Sequence, residues 1–240
     1  ATRGARMRVV QVGFGNQGRK RCAVAGADLV ATVDPVNPEA RHKCLDDVPL
    51  DSFDAAIVST PDAPKLELLR YLIRHGKHVL VEKPLLAPDP QQIVALADLA
   101  AATGAVWHTG YNHRFEPQIK ALKALMQSGA LGPVYTVRLF YGNGTARDVH
   151  ASWRDGDLGV LTDLGSHLID LTGFLLGSTR RSFVPWSLRR FENHTFDHVV
   201  LGSPDLPPVQ LEASYLSWRN TFTIDVLCGL GSAHVRGLCK

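Results

Sequence analysis

The chain contains no run approaching about 18 consecutive apolar residues, the length a membrane-crossing helix needs, so no membrane span is expected. Cysteine is scarce: Cys22, Cys44, Cys228 and Cys239 are the only four in 240 residues. They form no CxxC pair and no dense framework. That argues against a disulfide scaffold or a cysteine-built metal site, and for reduced thiols in a cytoplasmic protein. Charge of one sign is scarce too. The formal net charge is +3 and the Lys and Arg residues are dispersed, so there is no basic run of the kind that tracks nucleic-acid phosphates. Internal repeats and low-complexity linkers are absent as well. The opening stretch ATRGARMRVVQVG lacks the apolar core of a secretion signal, and residues 1–6 read as a tail ahead of strand-like sequence.

What is present is ordinary for a globular protein: 45% hydrophobic and 20% charged residues. The length suits one large domain or two ordinary ones. In the first half, short apolar runs alternate with helical patterns. RVVQV (8–12), LVATVD (29–34), AAIVST (55–60), HVLVE (78–82) and AVWHTG (105–110) read as strands. Between them lie NQGRKRCAVAG (16–26) and KLELLRYLIRHG (65–76), the latter with Leu66, Leu69, Leu72 and Ile73 on one face. A third helix is expected after Asp89, Pro90 and Gln92, which suit the N-cap, first and third positions of a capping box. Apolar strands alternating with helices predict a parallel sheet covered on both faces. The pattern changes near Arg114. A helix over 116–132, helical sequence within 153–177 and strand-like runs from 134–142 and from 182 onward predict an α+β unit. Its sheet is expected to be open and mostly antiparallel. The fold class is therefore α/β: a Rossmann dinucleotide-binding domain over 1–115, then a substrate-binding and oligomerisation domain over 116–240.

VGFGNQG places Gly13, Gly15 and Gly18 in GxGxxG spacing, with Phe14, Asn16 and Gln17 between them. The glycines alone are a weak signal. Their position between a strand and a helix is what gives them meaning. One glycine makes the tight turn, one admits a pyrophosphate close to the backbone, and one lets helix and strand pack. The helix N-terminus then offers free N–H groups to phosphate. Asp34 ends the second strand, where an acid grips the adenosine ribose and repels a 2′-phosphate. That favours NAD, while Arg41, His42 and Lys43 keep NADP as the alternative. The bland reading of Asp34-Pro35 is a strand-ending turn.

Lys83 follows the fourth strand at its carboxyl end, the edge at which such sheets bind ligands. A lysine there can hold a substrate hydroxyl and favour its alkoxide-like form, or simply pair with Glu82. Asp163 and His167 stand four apart in a helical stretch, so a carboxylate can orient an imidazole that acts as general base. The competing reading is a histidine buried for packing. His108 and His113 flank TGYN after the fifth strand and are candidates for the same crevice. The other histidines have no companion pattern, and no metal site is expected from their spacing.

Together these motifs resemble the glucose–fructose oxidoreductase and inositol dehydrogenase family, Gfo/Idh/MocA, over nearly the whole chain. VGFGNQG resembles its cofactor loop, VSTPD (58–62) the loop after a core strand, and GKHVLVEKPL (76–85) its EKP segment. GYNHRFEP (110–117) and WRDGDLGVLTDLGSHLIDL (153–171) resemble the segments entering the second domain and carrying the catalytic Asp and His. The resemblance implies Lys83, Asp163 and His167 as a catalytic triad, with His167 the proton acceptor. It implies Ser59, Thr60, Pro61 and Glu82 beside the cofactor, together with Lys83. Tyr111, Asn112, Arg114 and Trp153 would line the sugar pocket. A cis Lys83–Pro84 bond is implied too.

Three departures stand out. Lys65 occupies a place where family members often carry histidine, and the glycines before Asp163 are thinned to GDLGV. The family's second domain continues past GSAHVRGLCK, so an incomplete sheet is expected at the C-terminal end. The function implied is hydride transfer between a secondary hydroxyl of a sugar, sugar derivative or cyclitol and NAD(P). The alternatives are an NAD-dependent glycosidase using transient oxidation and a non-catalytic dinucleotide-binding protein. YTVRLFYG (135–142) and VQLEASYLSW (209–218), read as strands, put Tyr135, Val137, Leu139 and Tyr141, and Leu211, Ala213 and Tyr215, on the inner face, and Phe140, Leu216 and Trp218 on the opposite face, whose pairing with another copy predicts a homodimer or homotetramer.

Overall fold

The structure, a computed structural model, describes residues 6–150, 152–177 and 181–238. The chain divides into two compact units, Ala1–Gly110 and Tyr111–Lys240.

The first unit is built on strands β1 (Val9–Val12), β2 (Leu29–Val33), β3 (Ala55–Val58), β4 (His78–Val81) and β5 (Trp107–Thr109). They form one sheet in the order β2-β1-β3-β4-β5, every pairing parallel. Helices α1 (Asn16–Ala25), α2 (Lys65–Arg74) and α3 (Gln91–Thr103) complete the crossovers. The apolar runs are apolar because both sheet faces are covered: Val10, Val12, Val58 and Val81 are buried. On α2, Leu69, Leu72 and Ile73 are fully buried, each such side chain stabilising the fold by about 1.5–3 kcal/mol. The start of α3 differs from a capping box. Asp89 Oδ1 accepts the Gln91 N–H at 2.9 Å. The reciprocal arm is not made, since the Gln92 Oε1 atom is buried without a hydrogen-bond partner among the described residues. β2 and β3 flank β1 on opposite sides, so the order reverses at β1 and a crevice opens at the carboxyl ends of the strands there.

The second unit carries α4 (Pro117–Gln127), β6 (Val134–Gly142), the short α5 (Ala146–Val149), and a π turn (Leu161–Gly165) leading into α6 (Ser166–Leu176). Strands β7 (Val184–Arg189), β8 (His198–Ser203), β9 (Val209–Ser214), β10 (Thr221–Cys228) and β11 (Ser232–Arg236) follow. The sheet order is β11-β10-β6-β9-β8-β7. The β6–β9 pair is parallel and the other pairs are antiparallel. Val137, Leu139, Leu211, Ala213, Ile224 and Val226 line the inner face and pack against Leu168 and Leu171 of α6. The run 209–218 does not continue as one strand. β9 ends at Ser214, and Trp218 sits beyond it at φ +58°, 82% exposed. Trp218 is thus presented by a turn and not by the sheet face.

Candidate active site

In the first unit the glycine turn joins β1 to α1. Gly13 has φ +87°, a region other residues enter at a cost, and a Cβ there would lie 2.6 Å from the Ser59 carbonyl oxygen. A Cβ on Gly18 would lie 2.0 Å from the Gly13 carbonyl oxygen, so helix and turn touch there. Gly15, the N-cap of α1, is different: a Cβ would meet nothing within 4 Å. The turn is thus closed against the protein at Gly13 and Gly18 and open to solvent at Gly15. Gln11, fully buried, braces the turn from below through its amide donating to the Gly13 carbonyl at 2.9 Å. At the end of β3, the hydroxyls of Ser59 and Thr60 are buried and have no hydrogen-bond partner among the described residues. Buried unpaired hydroxyls are costly, so they favour a ligand with polar groups at this mouth. An apolar cleft of about 390 Å³ lies alongside, lined by Val12, Gly13, Pro35, Leu45, Thr60 and Leu68 among others. An open glycine turn, two orphaned hydroxyls and an apolar slot fit a dinucleotide.

Asp34 is held by backbone donors from the glycine turn and from the residues after β2. Its Oδ2 accepts the Phe14 N–H at 2.7 Å, and its Oδ1 accepts the Val36 and Asn37 N–H groups at 2.9 and 2.8 Å. Burial pushes its carboxyl up, but the donors from Asn37, Phe14 and Val36, with the Lys43 charge, bring it below the ordinary value. The Asn37 side-chain amide also donates to the Phe14 carbonyl at 2.7 Å. Asp34 therefore ties the glycine turn to the end of β2. Phe14 is half-buried beneath the Arg19 guanidinium, while Asn16, Gln17 and Pro61 are exposed.

The segment after β4 is also clamped. Glu82 accepts Arg21 Nε at 2.6 Å and the Gln17 amide at 3.2 Å, so its carboxylate is held by α1. Lys83 is half-buried and the Lys83–Pro84 peptide is cis. Lys65 is buried at the start of α2, with its ammonium donating to Asp62 Oδ1 at 2.6 Å and to the Pro84 carbonyl at 2.8 Å. The sequence marked Lys65 only as an odd residue. Its contact across to Pro84 was invisible there because the two are brought together only by the pairing of β3 with β4.

In the second unit, Asp163 lies in the π turn and His167 in the first turn of α6, where its ring is buried. Inserted π turns recur at functional sites because they re-aim side chains. The Asp163 carboxylate accepts the Tyr215 hydroxyl at 3.1 Å, and an Arg154 guanidinium nitrogen stands 3.7 Å away. Burial pushes the Tyr215 phenol well above its ordinary value, and the Asp163 charge adds to this, so Tyr215 remains a donor. The His167 ring is surrounded by aromatics. His113 lies 4.3 Å away between centroids, and Tyr111 meets it edge-on at 5.7 Å. Arg114 is engaged in a bidentate pair with Asp170 of α6, at 2.7 and 2.5 Å. Asn112 is exposed in the 3-10 turn Asn112–Phe115. Trp153 begins the turn Trp153–Asp155, and its side chain lies outside the described residues. Sequence reasoning missed Tyr215, which its alternation placed merely on the inner face of a strand. His113 was legible only as a crevice candidate.

A parallel sheet with an open glycine turn at its reversal point defines a Rossmann-type nucleotide-binding protein, here followed by a mixed-sheet unit. Residues 7–111 match the oxidoreductase family with an NAD-binding Rossmann fold, and residues 119–234 match the GFO/IDH/MocA C-terminal domain. The chain belongs to the Gfo/Idh/MocA oxidoreductase family. It is 30% identical over 155 residues to scyllo-inositol 2-dehydrogenase (NADP(+)) IolW of Bacillus subtilis, covering 62% of this chain and 42% of that protein. It is 29% identical over 157 residues to inositol 2-dehydrogenase of Rhizobium meliloti, covering 65% and 43%. Those matched stretches take in less than half of each relative's length. Among solved structures, GenD2 from gentamicin A biosynthesis in complex with NAD superposes with a TM-score of 0.82 at 24% identity. That match covers 98% of this chain and 74% of the other, and supports the fold. No helix among the described residues is long and apolar enough to cross a membrane.

Proposed function

We propose that the protein is an NAD(P)-dependent dehydrogenase acting on a secondary hydroxyl of a sugar, sugar derivative or cyclitol. The observation that carries the reading is the glycine turn, closed at Gly13 and Gly18 and open at Gly15, beside the Ser59 and Thr60 hydroxyls. The names of the inositol dehydrogenase relatives supply the substrate class. Residues Gly13 to Gly18, Asp34, Ser59, Thr60, Pro61, Glu82 and Lys83 would hold the dinucleotide. When bound, the nicotinamide supplies a hydride acceptor. Lys83 supplies a cation that holds the reacting hydroxyl and favours its ionised form. His167 takes the hydroxyl proton, and Asp163 orients the base or the substrate while itself held by Tyr215. Tyr111, Asn112, Arg114 and Trp153 are the proposed polyol contacts, with the Arg114 guanidinium held in place by Asp170. Asp34 favours NAD, whereas Lys43 on the wall of the apolar cleft favours a 2′-phosphate, so both cofactors belong in the test. The subunits are proposed to associate as a homodimer or homotetramer.

The test is a screen of polyols, aldoses, amino sugars and nucleotide sugars with NAD and NADP, followed by absorbance of the reduced cofactor. Turnover with a free polyol or sugar is the expected result. Cleavage of aryl glycosides without net reduced cofactor would replace this reading with the glycosidase. Cofactor binding with neither reaction would leave a dinucleotide-binding protein.

A further inference from the structure

Three side chains of the second unit that the proposed reaction does not use converge on one point. His150 follows α5, Asp155 closes the Trp153–Asp155 turn, and His194 lies in the loop between β7 and β8. Their ligating atoms all lie within 4.8 Å of one another. Asp155 is the fixed member. Its side chain is 2% exposed, and its Oδ1 accepts the Thr195 N–H at 3.0 Å and the Thr195 hydroxyl at 3.1 Å. Its Oδ2 faces the two imidazoles, with His194 Nδ1 at 2.8 Å and His150 Nδ1 at 3.9 Å. The rings stack with centroids 5.1 Å apart and planes inclined by 22°, so both present the same ring nitrogen to one carboxylate oxygen.

We propose that His150, Asp155 and His194 form a site for a divalent transition metal, with Zn²⁺ the ion that fits best. Two imidazole nitrogens and a carboxylate oxygen are borderline-soft donors that suit zinc, whereas calcium and magnesium take oxygen ligands. Zinc holds nitrogen at about 2.0–2.1 Å and carboxylate oxygen at about 2.0–2.2 Å in tetrahedral geometry, which sets neighbouring ligand atoms about 3.4 Å apart. That separation falls between the two measured here, 2.8 and 3.9 Å. Both histidine side chains are more than half exposed, so small ring rotations close the site without disturbing the core. Sequence spacing could not reveal this set, because its members come from three separate loops.

The site has a mechanical consequence. Phe196, two residues after His194, accepts the Val160 N–H through its carbonyl at 2.8 Å. Gly159 packs so closely that a Cβ there would lie 2.3 Å from the same oxygen. Val160 leads directly into the π turn that carries Asp163. A metal bridging His194 to Asp155 would pin this loop beside that turn.

The test is calorimetric titration of the metal-free 240-residue chain with zinc chloride, alongside thermal unfolding of the same samples. Wild type is expected to bind one equivalent at this site and to unfold at a higher temperature with zinc present. His194→Ala and His150→Gln are each expected to weaken that binding by about tenfold or more and to shrink the thermal shift. Both changes are at exposed rings, so the variants remain folded and comparable. Asp155→Asn, which also loosens the Thr195 contacts, is the harsher third variant. If wild type takes up no zinc, or both histidine variants bind it as tightly and with the same stoichiometry, the proposal is overturned. The cluster is then a hydrogen-bonded clamp only.

Discussion

The buried ammonium of Lys65 donates to the carbonyl oxygen of Pro84 at 2.8 Å, and to Asp62 Oδ1 at 2.6 Å. One side chain thus ties the loop after β3 to the turn that follows Lys83. Lys65→Met removes the cation while keeping much of the volume. It leaves the Pro84 carbonyl without this donor, at a cost of about 1–3 kcal/mol for an unsatisfied buried polar group. Urea unfolding should show that loss. Turnover should fall more than dinucleotide affinity does, because the change acts on the Lys83 turn. Unchanged urea midpoint and turnover would show that the clamp carries no weight.

The glycines should separate folding from binding. Gly18→Ala places a methyl 2.0 Å from the Gly13 carbonyl oxygen and is expected to destabilise the first unit or prevent its folding. The Cβ that Gly15→Val adds meets no atom within 4 Å, so unfolding temperature should be nearly kept. Dinucleotide binding, followed by calorimetry, should be lost, because the side chain enters the space left for phosphate. A Gly15→Val protein that binds NAD like wild type would refute the cradle.

Asp34→Ser should narrow any preference for NAD over NADP, since it removes an anion that repels a 2′-phosphate. It should also loosen the glycine turn, because three backbone donors lose their acceptor. The sign of the pH effect follows from the depressed carboxyl pKa. Its contribution to stability is fully present above the unfolded value of about 3.9 and fades as pH falls through the lower folded value. Asp34→Asn should therefore flatten the acid limb of stability against pH, measured by denaturant midpoints. NADP binding at least as tight as NAD in wild type would remove the stated preference.

His167→Ala and Lys83→Ala should each lower turnover by about 10²–10⁴-fold, the usual contribution of an acid–base group, with dinucleotide affinity largely kept. Asp163→Ala should do the same. Tyr215→Phe removes only the hydroxyl that Asp163 accepts, so a smaller loss is expected. Because burial and the Asp163 charge push the Tyr215 phenol up, it stays protonated across the working range. The Tyr215→Phe pH profile should therefore keep the wild-type limbs at lower height. Full turnover in His167→Ala at neutral pH would remove the base assignment.

By itself the sequence determined the alternation of strands and helices, the parallel character of the first sheet and the glycine turn. Those are local matters. Continuous Val and Ile runs are stable only when both faces are covered, and GxGxxG spacing matters only between a strand and a helix. Period-two alternation likewise marked Val137, Leu139, Leu211 and Ala213 as the inner face of the second sheet, and they are buried. What tertiary structure decided is which polar groups meet. Asp34 looked like a ribose ligand, and the fold also makes it the acceptor for Phe14, Val36 and Asn37. Lys65 looked like an oddity, and strand pairing brings it to Pro84. Tyr215 looked like core, and the packing of the π turn over β9 sets its hydroxyl on Asp163. The same holds for His150, Asp155 and His194, whose meeting depends on three loops. Hydrophobic burial follows the periodicity of single elements, so sequence displays it. Hydrogen bonds and ion pairs between distant segments depend on register and loop path, and those exist only once the chain has folded.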